Sequence, residues 1–335
     1  VLEKINQMKI TIEIPTFKRT SGGIMRHVML AKMLKEKEGL DVHLRIQRNN
    51  TAINYSQHLK DINFSIGIPV SIGIPDRTFP ESDVVITYSD TPHGEKLTAL
   101  RQVKKVIVYM LSYGLCLERE RKNVFNPKIA VMSSTLKLKR MIEADGGSCT
   151  YVGFGLNPNE FYIEPGIKRK SGWVAILYHP SPNKQYKMAV RVCDELYKIG
   201  KIKKVIVFGM RFDGVKSIKD TYITYLDASH DVIRKIFCLC VLFIMPSISE
   251  GLNMTPMEAT LCGCPAVICD GAFGDLYFNN KTCVVAKKGD FQDILEKSIN
   301  TLNNPNLGLY FKERMEKIII NYTWDNTIEN IMALF

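Results

Sequence analysis

Residues 241–245 form an unbroken apolar run closed by Pro246, the pattern of a parallel strand buried on both faces. Comparable short runs recur at residues 42–46, 83–88, 106–110, 129–133, 173–177, 204–208, 222–226 and 267–268, and residues 8–15 begin the series with Ile10, Ile12 and Ile14 alternating. Segments of helical period lie among them: 24–37, where Ile24, Val28, Ala31 and Leu34 share a face, then 136–142, 186–198, 231–237 and 291–302. Strands alternating with amphipathic helices predict α/β architecture with parallel sheets. A chain of 335 residues is long for one core and comfortable for two. The polar stretch 164–172, with Pro165, Gly166 and a basic run, reads as the linker. The division expected is residues 1–165, residues 170–322 and a closing helix in 323–335. The two halves show no repeat of each other.

Composition narrows the class. Hydrophobic residues make up 46% and charged residues 24%, as in soluble globular proteins, and no apolar run is long enough for a membrane span. No leader sequence is evident, so a cytoplasmic location is expected, with membrane association left open. The nine cysteines contain no Cys-x-x-Cys pair, which fits buried free thiols in a reducing compartment and points away from a disulfide framework or zinc site. Cys262 and Cys264, flanking Gly263, read as small packing residues. The net charge of +11 suggests an anionic partner, but it is spread over both halves without a basic stripe interleaved with aromatics, so nucleic acid is not expected. The densest basic stretch, residues 118–140, holds seven Lys and Arg against two acids. It is either a solvated face or a peripheral contact with an anionic membrane.

The strand at 241–245 must be followed by a loop, and Thr255 as N-cap with Pro256 at the first helical position predicts a short helix over 257–261 that stops at Gly263. Glu250 then lies beyond the carboxyl end of a parallel strand and Glu258 early on the next helix, where open α/β sheets bind ligands. The amides of Gly251, Leu252, Asn253 and the residues up to Thr255 lie at a helix N-terminus and suit an anion such as a diphosphate. Two carboxylates beside a phosphate site are best used as acceptors for neutral hydroxyls, which sugars and ribose supply.

Pro-Ser-Ile-Ser-Glu-Gly-Leu-Asn from Pro246, with Met-Glu-Ala-Thr-Leu-Cys-Gly-Cys-Pro-Ala-Val from Met257, strongly resembles the donor-site signature of family-4 glycosyltransferases (glycosyl transferases group 1). That resemblance implies the GT-B architecture: two Rossmann-like domains facing across a central cleft, with the C-terminal helix packing back on the N-terminal domain. The Ser-Gly-Gly sequence ending at Gly22 and Gly23 resembles the family's amino-terminal glycine loop. The first loop of the second half keeps the family's spacing of two cations, but as His179 and Lys184. Lysine carries its charge at pH 7, whereas an unperturbed histidine is largely neutral there and lacks the guanidinium fork. Asp90 and His93 follow the strand at 83–88 in a polar loop, another place where function concentrates. Asp275 occupies the place of a family Gly-Gly-x-x-Glu loop that this chain matches loosely, and no role is assigned to it.

The resemblance implies a retaining, hexosyl-type glycosyltransferase that passes sugar from a nucleotide-diphosphate donor to a hydroxyl of a glycan or lipid-linked acceptor in polysaccharide or glycoconjugate synthesis. Glu250, Lys184 and His93 would serve catalysis. Gly22, Gly23, His179, Lys184, Glu250, Gly251, Leu252, Asn253 and Glu258 would hold the donor, with Glu258 on the ribose. No cofactor is expected, and the lack of an Asp-x-Asp motif points away from a metal. An epimerase of the same fold, or a nucleotide-sugar-binding module without catalysis, stands as the alternative.

Overall fold

The computed structural model describes residues 8–14, 22–38, 40–47, 68–73, 79–88, 93–111, 113, 117–157, 159–209, 222–271 and 281–335. The chain separates into two compact units, Val1–Gly155 with Trp324–Phe335, and Leu156–Thr323.

The first unit runs β1 (Lys9–Ile14), α1 (Gly22–Glu38), β2 (Asp41–Gln47), β3 (Val70–Gly73), β4 (Ser82–Tyr88), α2 (His93–Leu97), β5 (Val103–Met110), α3 (Leu117–Val124), β6 (Ile129–Ser133), α4 (Leu136–Ala144) and β7 (Thr150–Tyr151). The strands form one parallel sheet in the order β3-β2-β1-β4-β5-β6-β7. Side-chain alternation along β1 sends Ile10, Ile12 and Ile14 into the core that also takes Val28, Ala31 and Leu34 from α1. Thr11 and Glu13 alternate with those isoleucines. Glu13 meets Arg45 at 2.5 Å with both side chains fully buried, and the Arg45 guanidinium lies over the Phe79 ring. The final helix, Trp324–Met332, belongs to this unit: Trp324, Ile328 and Ile331 enter the same core. Thr327 Oγ1 accepts from the amide of Gly155 at 2.8 Å. Gly155 has φ +55 and lies against the Trp324 ring, leaving no room for a side chain.

The second unit contains β8 (Trp173–Tyr178), α5 (Tyr186–Lys198), β9 (Lys204–Gly209), β10 (Ile223–Leu226), α6 (His230–Leu239), β11 (Leu242–Met245), α7 (Met254–Leu261), β12 (Ala266–Cys269), β13 (Val284–Ala286), α8 (Phe291–Leu302) and α9 (Leu307–Ile319). Its parallel sheet has the order β10-β9-β8-β11-β12-β13. This is the doubly wound order, in which the winding reverses between the first and fourth strands, here β8 and β11. Both faces are covered. Val174 and Ile176 pack with Ala189, Val192 and Leu196 of α5, while Phe208, Phe237 and Phe243 form an aromatic cluster with centroids 5.3–5.7 Å apart.

Several local expectations change. The helix expected from residue 24 starts at Gly22, so both glycines form its first turn instead of the end of a loop; the first turn has no intrahelical partner for its amides and tolerates glycine there. His93 heads α2 rather than lying in a loop. Strands β3, β7 and β13 and helices α3 and α9 were not foreseen. Asp90, Asp275 and residues 16–21 lie outside the described residues.

Candidate functional site

The loops after β8 and β11 flank the point where the second sheet reverses its winding. Residues 182–184 coil into a single 3-10 turn, with the Lys184 amide on Ser181 O at 3.0 Å. Gln185 then takes a left-handed conformation, φ 50 and ψ 38, which turns the chain into α5. From the other loop the Ile248 amide donates to Asn183 O at 2.9 Å. That bond fastens the two loops together, and Lys184 Nζ comes within 2.6 Å of Glu250 Oε1.

Helix α7 does not begin as expected. Asn253 precedes it in the left-handed region, φ 57 and ψ 68, and makes no side-chain cap hydrogen bond. Met254, Thr255 and Pro256 are the first three helical residues. Proline fits there because the third helical amide has no intrahelical acceptor anyway, and asparagine is the residue other than glycine that most readily turns left-handed. The consequence is an N-terminus without a side-chain cap, at the switch point. Glu258 is half-buried on the second turn of α7. The helix closes with a Schellman turn: Gly263 N–H bonds Thr260 O at 2.8 Å and Cys264 N–H bonds Ala259 O at 2.9 Å, with Gly263 at φ 71.

His179 is half-buried, and its Nδ1 accepts from the Ser181 amide at 3.0 Å. A neutral ring with an accepting Nδ1 carries its proton on Nε2. Burial first, and next the positive charge of Lys184, hold its pKa below the ordinary imidazole range. His179 therefore offers this site a neutral N–H donor, not a second cation. Tyr186, first residue of α5, packs edge-on to Tyr178 at 4.9 Å, and burial pushes its phenol up to about 12.

Behind the site lies a residue that the sequence reading missed. Arg169 donates to the carbonyls of Phe237 (3.3 Å) and Cys240 (2.5 Å) at the end of α6, and to Cys262 (2.5 Å) at the end of α7. One guanidinium thereby joins two negative helix ends and fixes α7 from its rear. Its place within a basic polar run gave no sign of this. The eight described cysteines are free and buried. Cys238, hydrogen-bonded to Cys262, has its thiol lowered to about 6 by that bond, and the same bond drives the Cys262 thiol upward.

The second unit thus gathers His179, Lys184, Glu250, Gly251, Leu252, Asn253 and Glu258 on the two switch-point loops and the helix that follows them. Gly22, Gly23 and His93 belong to the first unit, at the starts of α1 and α2, which follow the neighbouring strands β1 and β4. The side chain of His93 lies outside the described residues. Among the described residues no helix is long and apolar enough to cross a membrane.

Two parallel sheets of this order, each in its own unit, give the chain the GT-B fold. HepE of Anabaena, solved with UDP and glucose, matches 98% of this chain and 99% of its own at a TM-score of 0.76 and 13% identity. The sucrose-phosphate synthase of Thermosynechococcus elongatus matches 97% and 98% at a TM-score of 0.73 and 13% identity. A glycosyltransferase of Methanocaldococcus jannaschii is 22% identical over 108 residues, which span 32% of this chain and only 31% of that relative's length. The profile of glycosyl transferases group 1 matches residues 168–304, a segment of the second unit that includes both switch-point loops and α7.

Proposed function

We propose that the chain transfers a hexosyl-type sugar, with retention, from a nucleotide-diphosphate sugar to a hydroxyl of a glycan or lipid-linked acceptor. The observation that carries this reading is the union of Lys184 and Glu250, 2.6 Å apart, in front of an α7 N-terminus that has no side-chain cap. A cation and aligned amides suit a diphosphate, while carboxylates at Glu250 and Glu258 suit sugar and ribose hydroxyls. Breaking the bond between sugar and phosphate builds negative charge on the leaving diphosphate. Lys184, the amides of Gly251, Leu252 and Asn253, and the Nε2–H of His179 stabilise that charge where it grows. Retention follows from the family resemblance. Gly22 and Gly23 are assigned to the same reaction on the strength of that resemblance, and His93 by its place after the carboxyl end of β4.

HepE was solved with UDP-glucose, which makes UDP-glucose the first donor to test. Support for peripheral contact with anionic lipid comes from the first unit, where Phe125 (48% exposed) and Met141 (39% exposed) stand out beside exposed Lys122, Lys128 and Arg140. The location proposed is the cytoplasmic side of a membrane. The test is a thermal-shift screen of UDP-, GDP-, ADP- and dTDP-glucose. One of them should raise the melting temperature, and Glu258→Ala should weaken that donor about 10- to 100-fold through loss of charge-assisted ribose bonds. A donor whose binding ignores Glu258 would remove the ribose assignment. Turnover of the nucleotide sugar without acceptor would favour epimerisation.

A further inference from the structure

One contact in the site has to change when a donor binds. Lys184 Nζ lies 2.6 Å from Glu250 Oε1, with side-chain exposures of 23% and 11%. Oε1 is buried and takes no aligned hydrogen bond, so the pair is held by charge and position, and the oxygen's lone pairs remain available to a directed donor. The bond between Ile248 N–H and Asn183 O keeps the two loops together. Lys184 therefore meets any incoming diphosphate while it still faces a nearly buried carboxylate.

A single ammonium cannot serve both anions fully. When a diphosphate draws Lys184 away, Glu250 is left as a carboxylate with about a tenth of its side chain in water, which is unfavourable unless a new donor arrives. A hydroxyl of the transferred sugar is such a donor. A bare nucleoside diphosphate brings none. Resting on the reading above, in which Lys184 faces the diphosphate and Glu250 the sugar, we infer that Glu250 is a specificity residue: competing for Lys184, it makes the site prefer the intact nucleotide sugar to the nucleoside diphosphate. The same competition favours release of the nucleotide once its sugar has gone, since Glu250 then reclaims Lys184.

The test is calorimetric titration of a nucleoside diphosphate and its glucose conjugate, UDP and UDP-glucose or whichever pair stabilises the wild type most. The proteins are wild type, Glu250→Gln, Lys184→Gln and the double variant, each checked for an unchanged melting profile. Removing the competing charge should tighten nucleoside diphosphate binding about three- to tenfold in Glu250→Gln, the range of a partly exposed ion pair. Glucose-conjugate binding should not gain, so the preference for the sugar form shrinks. In the Lys184→Gln background the Glu250 substitution should leave nucleoside diphosphate affinity unchanged, the signature of a coupled pair. Lys184→Gln by itself should weaken both ligands yet keep the preference for the sugar form, because an unpaired Glu250 still gains from the sugar hydroxyl and from nothing in the bare nucleoside diphosphate; this reading is independent of how Glu250→Gln folds. Weaker or unaltered nucleoside diphosphate binding in Glu250→Gln, or an undiminished effect without Lys184, overturns the inference while leaving the donor site standing. Failure of every nucleotide sugar to bind wild type would instead remove the functional reading and the inference with it.

Discussion

Gly308→Ala sets two physical rules against each other. Gly308 is buried in the first turn of α9, where alanine is the better helix former by up to about 1 kcal/mol. Its added methyl, however, would sit far inside contact distance of the Gly263 carbonyl oxygen, 3.1 Å from that carbonyl's carbon and 3.1 Å from Pro265 Cδ. These neighbours cannot rotate aside. Gly263 is locked by the turn that ends α7, and its own neighbourhood includes Arg169 and Ile163. The helix must therefore retreat, and overpacking of this kind costs about 1–3 kcal/mol, typically more than the helical gain. For a unit of this size the net loss should lower Tm by about 3–9 °C in a thermal melt followed by circular dichroism. Gly200→Ala is the control: Gly200 has φ 70 and nothing within 4 Å of an added methyl, so it bears only the left-handed penalty of about 1 kcal/mol. Because α9 packs behind α7, Gly308→Ala should also weaken donor binding, whereas the control should not. A melting temperature at or above wild type for Gly308→Ala would refute the claim that this backbone contact sets the position of α7.

The remaining expectations concern the groups around that helix. Arg169→Met strips donors from three helix-end carbonyls and should cost about 2–4 kcal/mol in urea unfolding, with Arg169→Lys recovering only part, because an ammonium cannot span both helix ends. His179, held below its ordinary pKa of 6.5, binds fewer protons folded than unfolded. Its contribution to stability is thus complete above about pH 6.5 and is lost as pH falls through the lower folded pKa. His179→Gln should flatten that part of the melting-temperature profile. UDP-glucose, whose diphosphate ester does not titrate in this range, should bind with little pH dependence near neutrality and more tightly once His179 becomes protonated. His179→Arg should abolish that dependence and bind more tightly throughout.

Much of the architecture was legible because burial imposes a period. The apolar runs at β5, β8, β9 and β11 and the helical faces of α1, α5 and α8 stand in the sequence close to where the sheets hold them. The alternation of strand and helix sufficed for two parallel-sheet units, and the segments from Pro246 and Met257 placed the glutamates beyond a strand's carboxyl end. Helix α9 carries a readable signal as well, since Phe311, Met315 and Ile319 repeat every four residues and are buried. Local rules failed where two were satisfied at once. Thr255 followed by Pro256 is a good helix start, but the left-handed turn at Asn253 begins the helix earlier.

What no local pattern contains is which loops meet. Strand order is settled by how whole faces pack, and it is this order that brings the loop holding Lys184 beside the loop holding Glu250, through one backbone bond between Asn183 and Ile248. Arg169 illustrates the same division: its sequence neighbours are polar and basic, and its partners are carbonyls at the ends of two helices that only folding brings together. The sequence by itself determined the kinds of elements and the chemical types at the site, because those follow from period and side-chain chemistry. Only the tertiary structure decided that the cation and the carboxylate form a pair, because pairing depends on distance across the fold.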